Sequence, residues 1–330
     1  MSTLSKLHNR FASVAGQYYP ATQAELNTEL SRLYALATPP QGSDPLALIV
    51  PFSGYMFSGK TAASAYNQLD PEKQYKRIFV LTSARMNNFI GASVFCDGDY
   101  VVPNGIAEVD ILYGRTIVEE HPNLFTDART PHYHEHSIEV QLPFILHKVR
   151  KPFKIVPIVI GTHTPEVCRQ LAQVLKPELH SGNLFIISTD FSGVLQESAA
   201  KVLDEETGAA IATNSPERLI KVLNKHEKLQ IPGYVASLYS WSSVLTLLYM
   251  SQGEEQAIYT TVDSCTSGDI PYYGNREKVT GYKAITLTRR LPESETTGIS
   301  TPERNDFLFK TVNTLRNLFK SPHKKDKKGR

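Results

Sequence analysis

At 330 residues the chain can bury a large core in one or two domains. Its 41% hydrophobic and 21% charged residues exclude a disordered or fibrous chain and fit a globular one. The net charge of +2 is uneven: residues 301–330 hold nine Lys/Arg against three Asp/Glu, which leaves the rest mildly acidic and excludes a fold-wide basic face for nucleic acid.

Residues 14–20 form a short aromatic segment, Val-Ala-Gly-Gln-Tyr-Tyr-Pro. Thr22 stands three residues before Glu25, a capping-box pattern, and Leu26, Leu30 and Leu33 follow on one helical face. A helix near 22–36 is predicted. The apolar run 46–50 predicts a strand buried on both faces, leading into Pro51-Phe52-Ser53-Gly54-Tyr55. Gly59-Lys60-Thr61 brings a phosphate-binding loop to mind, but the match is weak alone. A helix N-terminus with Ala62, Ala63 and Ala65 packed on the sheet is the preferred reading.

A second buried strand, 77–81, runs into a polar loop at 82–88 containing Arg85. Asp97-Gly98-Asp99 between two apolar runs predicts a hairpin with Gly98 at positive φ. Residues 107–120 read as a helix, with Val109, Leu112 and Ile117 among its apolar positions. The apolar run 154–160 is a third strand, placed at an edge or a bulge because Pro157 cannot donate a ladder bond. A helix over 167–175 and a fourth strand at 184–187, ending at Ser188-Thr189-Asp190, follow. Helices are expected over 199–213, 216–226 and 234–250, and strands over 257–262 and 282–288 frame a polar loop containing Cys265. Tyr272 and Tyr273 read as turn aromatics.

Strands alternating with helices predict a three-layer α/β/α fold, with a mostly parallel or mixed central sheet and helices on both faces. Ligands in such folds collect beyond the strand C-termini. Here those ends are Phe52, the 82–88 loop and Asp190. Between the second and third buried strands lies Pro131-His132-Tyr133-His134-Glu135-His136-Ser137-Ile138-Glu139-Val140-Gln141-Leu142-Pro143, which is expected to cover the site. In an extended segment His132, His134 and His136 would share one side. A helix starting near Ser137 would instead bring His136 to Glu139. Imidazoles beside carboxylates suit metal binding or acid–base work, and equally a solvated loop.

These segments, in this order, resemble the MEMO family, also known as protein B of the AmmeMemoRadiSam system. The resemblance runs from about residue 14 to 288. It rests on Ala15-Gly16-Gln17-Tyr18-Tyr19-Pro20, Val50-Pro51 with Gly54-Tyr55 and Ser58-Gly59, the run Glu135 to Pro143, Ser188-Thr189-Asp190-Phe191-Ser192 and Ser267-Gly268-Asp269, with Val279 and Gly281-Tyr282 near the end. It implies the fold of class III extradiol dioxygenases, with a pocket lined by histidines.

The family pattern puts metal-type histidines where this chain has Phe52, Arg85 and Gly193, while Asp190 is kept. Where animal members carry a cysteine, this chain has Ile270, and Cys265 stands five positions upstream. Phenylalanine and glycine supply no lone pair, and a guanidinium repels a cation. His136 and Asp190 are the fallback ligands, too few for a 2-His-type iron or copper site. The resemblance therefore implies a degenerate metal site, with no resident metal, in a non-catalytic binding or scaffold module. Its pocket would be lined by Phe52, Arg85, Glu135, His136, Glu139, Asp190, Gly193, Cys265 and Ile270. His132 and His134 would be loop, and an Arg85–Asp190 ion pair would fill the vacated space. The alternative is a dioxygenase-like oxidoreductase with an iron, copper or zinc site rebuilt around the local histidines.

Residues 291–305 read as a flexible linker, and 306–330 as a basic amphipathic helix with a disordered tail, since Leu308, Val312, Leu315 and Phe319 share a face beside Lys310, Arg316 and Lys320. Such a helix suits an anionic membrane surface or a protein partner. Three scattered cysteines, no apolar run long enough for a bilayer and no apolar leader in Met1–Lys6 point to the cytoplasm.

Overall fold

A computed structural model describes residues 8–85, 89–161, 164–271 and 274–290. The expected linker and basic tail, and the Tyr272-Tyr273 pair, lie outside these residues. No described helix is long and apolar enough to cross a membrane.

The chain opens with strand β1 (Arg10–Phe11) and helix α1 (Gln23–Leu36). The Thr22 side chain caps α1 by accepting from Glu25 N, and Leu26, Leu30 and Leu33 are buried, as the spacing predicts. Strands β2 (Ala47–Val50) and β3 (Arg77–Ser83) flank helix α2 (Tyr55–Tyr66). Gly54, Gly59, Lys60 and Thr61 have the full spacing of a phosphate-binding loop, yet Tyr55 to Thr61 are helical. Their amides enter the helical ladder instead of opening toward a phosphate, and Lys60 pairs with Asp263 at 3.5 Å in mid-helix. The helix therefore starts at Tyr55, and the Gly-Lys-Thr run expected at its N-terminus lies within it, with Ala62, Ala63 and Ala65 buried.

Strand β4 (Ala92–Val94) joins the main sheet, whereas β5 (Tyr100–Val102) pairs with β6 (Gly105–Ala107) and, in parallel, with β1. The hairpin predicted around Gly98 is therefore absent. Gly98 serves a close approach: a Cβ there would stand 2.4 Å from the His8 carbonyl oxygen. Helix α3 (Ile111–Glu120) starts at its Asp110 cap, later than predicted, and Leu112 is 78% exposed instead of apolar-buried. The short strand β7 (Phe125–Thr126) precedes helix α4 (Thr130–His134).

Pro131 sits in the first turn of α4, where its fixed φ suits a helix start. His132 and His134 thus belong to a helix, not a loop. They point differently: His132 is fully buried and His134 exposed. His132 Nε2 donates to Ser93 O at 3.1 Å, leaving Nδ1 to accept from Tyr100 OH at 3.1 Å. Burial pushes its pKa down to about 3, so it is a neutral core residue.

Helix α5 (Leu142–Lys148) leads to β8 (Lys154–Ile160), which lies inside the sheet between β3 and β4. Pro157 is tolerated there because its carbonyl accepts from Phe95 N just past the end of β4, the side on which its missing proton would have pointed. Helix α6 (Pro165–Leu175), β9 (Asn183–Ser188), α7 (Glu197–Ala212), α8 (Pro216–Glu227), α9 (Trp241–Ser251), β10 (Ala257–Thr266) and β11 (Gly281–Arg289) complete the described chain. The last predicted helix begins at Trp241 rather than 234, and β10 runs four residues beyond its predicted end, taking Cys265 into a strand.

The main sheet has the order β10-β11-β2-β9-β3-β8-β4-β7, mixed in sense and parallel from β2 through β8. Alternate residues divide between two cores. Leu48, Val50, Ile78 and Val80 face α1, α2 and α5, while Ala47, Ile49, Phe79 and Leu81 face α6 and α9. The three-layer α/β/α fold follows from that double coverage. Because β9 lies between β2 and β3, the residues just beyond these strands, Phe52, Asp190 and Arg85, meet at the C-terminal ends of the central strands.

Candidate functional site

Asp190 leaves the end of β9 almost fully buried. Its Oδ1 accepts from Phe52 N at 2.8 Å and its Oδ2 from Ser53 Oγ at 2.6 Å. Burial raises its pKa to about 6, against the opposing pull of those bonds and of the Arg85 charge. Its carbonyl accepts from Tyr239 N at 3.0 Å. Asp190 therefore ties together the ends of two strands and the segment before α9.

Phe52 is buried, and the Arg85 guanidinium carbon lies 4.9 Å from its ring centroid, within cation–π range. Arg85 does not pair with Asp190. Its Nη2 and Nε reach Glu135 Oε1 and Oε2 at 3.1 and 3.3 Å, a fork-on-fork geometry, while Glu135 Oε1 also accepts from Ser137 N. The same Nη2 lies 3.0 Å from His136 Nδ1 and 3.1 Å from Nε2. Burial, then the Arg85 charge, lowers His136 to about 4, so the imidazole is neutral near pH 7. Tyr18 covers it with ring centroids 4.4 Å apart, and Phe52 stands edge-on at 6.2 Å.

Gly193 completes the cluster by lacking a side chain. A Cβ at this position would lie 2.0 Å from the Tyr239 hydroxyl, so the space a side chain would need is taken by a phenol. The Tyr239 ring in turn stands 6.2 Å from Phe52. Beside this cluster a recess of about 420 Å³ is lined by Tyr18, Ser53, Phe57, Lys278, Thr280 and Tyr282 among others.

The structure brings together Phe52, Arg85, Glu135, His136, Asp190 and Gly193. The other three pocket residues stand elsewhere. Glu139 is fully buried and turned toward the N-terminal segment: it accepts from Arg10 Nη1 (2.7 Å), Ser13 N (2.9 Å), Val14 N (3.0 Å) and Tyr19 OH (2.7 Å). It lies in the first turn of a 3-10 segment, Glu139–Gln141, so its expected meeting with His136 does not form the pocket wall. Cys265 packs against α2 with Sγ 3.1 Å from Thr61 Oγ1, and burial pushes its thiol up to about 11, away from thiolate character. Ile270 follows a one-turn 3-10 helix and offers only hydrocarbon. Tyr18 and Tyr239 were missed as site residues. Tyr18 lies within the aromatic segment 14–20, whereas Tyr239 carries no local signal.

As a metal site the residues do not fit. The permanently charged Arg85 guanidinium stands among them, both nitrogens of His136 lie against it, and both oxygens of Asp190 are engaged. Among the described residues, no three His, Cys, Asp or Glu side chains converge on a point suited to a metal ion.

The profile of the Memo family, described as Memo-like protein, matches residues 10–285. A MEMO1 family protein of Desulfurococcus amylolyticus is 30% identical over 293 residues, covering 84% of this chain and 99% of that one. One from Aquifex aeolicus is 34% identical over 215 residues, covering 64% and 77%. Another, from Methanopyrus kandleri, is 26% identical over 291 residues, covering 85% and 99%. On the extent of that match and the collinear segments already described, this chain belongs to the Memo-like family.

Proposed function

We propose that this protein is a non-catalytic binding or scaffold module of the Memo-like family whose inherited metal position has been rebuilt as a packed, metal-free cluster. The observation that carries this reading is the seat of Arg85, lodged over Phe52 and bound to Glu135 and His136 at the end of β3. A guanidinium so held repels a divalent cation and keeps His136 from donating its lone pair. The recess beside the cluster, with hydroxyls of Ser53, Thr280 and Tyr282 and the Lys278 ammonium, is suited to a polar or anionic ligand.

Elemental analysis of protein purified from cells supplied with iron, copper and zinc is expected to find far less than one metal per chain. Stoichiometric metal that disappears in His136→Ala or Asp190→Asn protein would overturn the proposal. It would favour the oxidoreductase reading instead.

A further inference from the structure

A second cavity, of about 450 Å³, lies between α8, the segment after it and the start of α9, and shares no lining residue with the cluster around Arg85. Its lining is mixed: Leu238 is buried and Ile220, Leu223 and Trp241 are half-buried, while Asn224, Tyr234 and Ser237 add polar groups. Ile220, Leu223 and Glu227 fall three and then four residues apart on α8, so one helical stripe runs from apolar side chains to a carboxylate at the rim. Ser237 and Tyr234 are already engaged with each other and with the core. Ser237 Oγ lies 2.8 Å from His226 Nδ1 and donates to Tyr234 OH at 3.2 Å.

Charge decides the ligand class. Among the described residues, Glu227 is the one charged side chain lining this cavity. Lys225 and Lys228 flank it in sequence but do not line the cavity, and Lys225 is paired with Glu206. A neutral apolar compound could fill the interior, but only a cation would gain from the rim carboxylate and from the rings of Tyr234 and Trp241. An anion would face Glu227 without a compensating positive group. The volume lies in the range of small-molecule sites, about 300–1,000 Å³.

We infer that this cavity binds a small organic ammonium ion with an apolar body, the body seated among Ile220, Leu223 and Leu238 and the ammonium directed to Glu227. The chain contains a single tryptophan, and Trp241 lines the cavity, so its fluorescence reads occupancy directly. The full-length protein is titrated with phenethylammonium and, in parallel, with phenethyl alcohol and hydrocinnamate, which carry the same aromatic body with no charge or a negative one. A saturable change in Trp241 emission is expected for the amine, weaker by about tenfold for the alcohol and absent for the acid. Glu227→Gln should weaken the amine by about tenfold and leave the alcohol unchanged. Because Glu227 is exposed at a helix end, this substitution does not endanger folding. Glu255→Gln, at an exposed position outside the cavity, should change nothing. No saturable response to the amine, equal binding of alcohol and amine, binding of the acid, or an unaltered Glu227→Gln titration would each overturn the inference.

Discussion

Replacing Glu139 with glutamine tests the anchor that holds the N-terminal segment against the site. The Glu139 carboxylate is fully buried, pairs with the equally buried Arg10 at 2.7 Å, and collects donors from Ser13, Val14 and Tyr19. Glutamine preserves the shape, but it offers one acceptor oxygen and turns two amide protons toward groups that are themselves donors. It also leaves Arg10 a buried cation without its counter-ion. Removing one partner of such a pair costs about 3–5 kcal/mol, and at about 2–4 °C per kcal/mol for a domain of a couple of hundred residues Tm should fall by about 6–20 °C. The pH dependence supplies an independent check. Burial pushes the Glu139 carboxyl up, but the Arg10 charge and the bonds from Val14 N and Tyr19 OH outweigh it, so its pKa is lowered overall. A lowered carboxyl pKa gives stability that is present above the unfolded value, about 4.3, and lost as the pH falls through the folded one. Calorimetry of the wild type and Glu139→Gln from pH 3 to 7 should therefore show the two proteins converging at low pH. A fall in Tm of less than about 2 °C at pH 7, or curves that stay parallel into acid, would refute this account. Limited proteolysis near residues 10–19 should accelerate in the variant, because the same bonds hold Tyr18 on His136.

Asp190 should behave in the opposite sense. Its raised pKa, about 6, means that the folded state holds this proton more tightly, so its contribution is full below about pH 4 and is lost as the pH rises through 6. Burial raises Asp204 to about 6 as well, so Asp190→Asn should remove about half of the stability lost between pH 4 and 7 in urea titrations; an unchanged slope would count against it. Gly193→Ala drives a methyl group into the Tyr239 ring and should cost about 1–3 kcal/mol by chemical denaturation. That cost should shrink when Tyr239→Ala is already present, whereas strict additivity in the double-mutant cycle would show that Tyr239 is not what fills the space.

The layers were legible because a sheet covered on both faces writes unbroken apolar runs, as in Leu46 to Val50 and Ile155 to Ile160. The positions of Phe52, Arg85 and Asp190 beyond their strands were legible for the same reason. Errors arose where a local pattern had two physical solutions. Alternating histidines suit an extended strand, but Pro131 starts a short helix that buries His132 and exposes His134. Asp97-Gly98-Asp99 suits a turn, but here glycine admits the His8 backbone beside it. The partners of Arg85 and the placement of Tyr239 could not be read at all, because they depend on contacts between residues far apart in the sequence, such as Arg85 with Phe52 and Glu135 and Tyr239 with Phe52 and Gly193.

Phe52, Arg85 and Gly193, the positions where the resemblance implies histidines, form one packing solution. Arginine beyond β3 needs a partner for its flat face and acceptors for its edge; the Phe52 ring supplies the first and Glu135 the second. Histidine at position 52 would be poorer below a guanidinium, since protonating it would place two cations in contact. Glycine at 193 is then required because the cluster is completed by Tyr239, whose hydroxyl stands where any side chain would begin. Asp190, Glu135 and His136 each have structural partners here. Asp190 bonds the backbone of Phe52 and accepts from Tyr239 N, while Glu135 and His136 hold Arg85. Reversing one position alone should therefore leave the others mismatched: Arg85→His would strip Glu135 of its counter-ion and uncover the face of Phe52. A metal site would require changing positions 52, 85 and 193 together, with Tyr239 removed to make room.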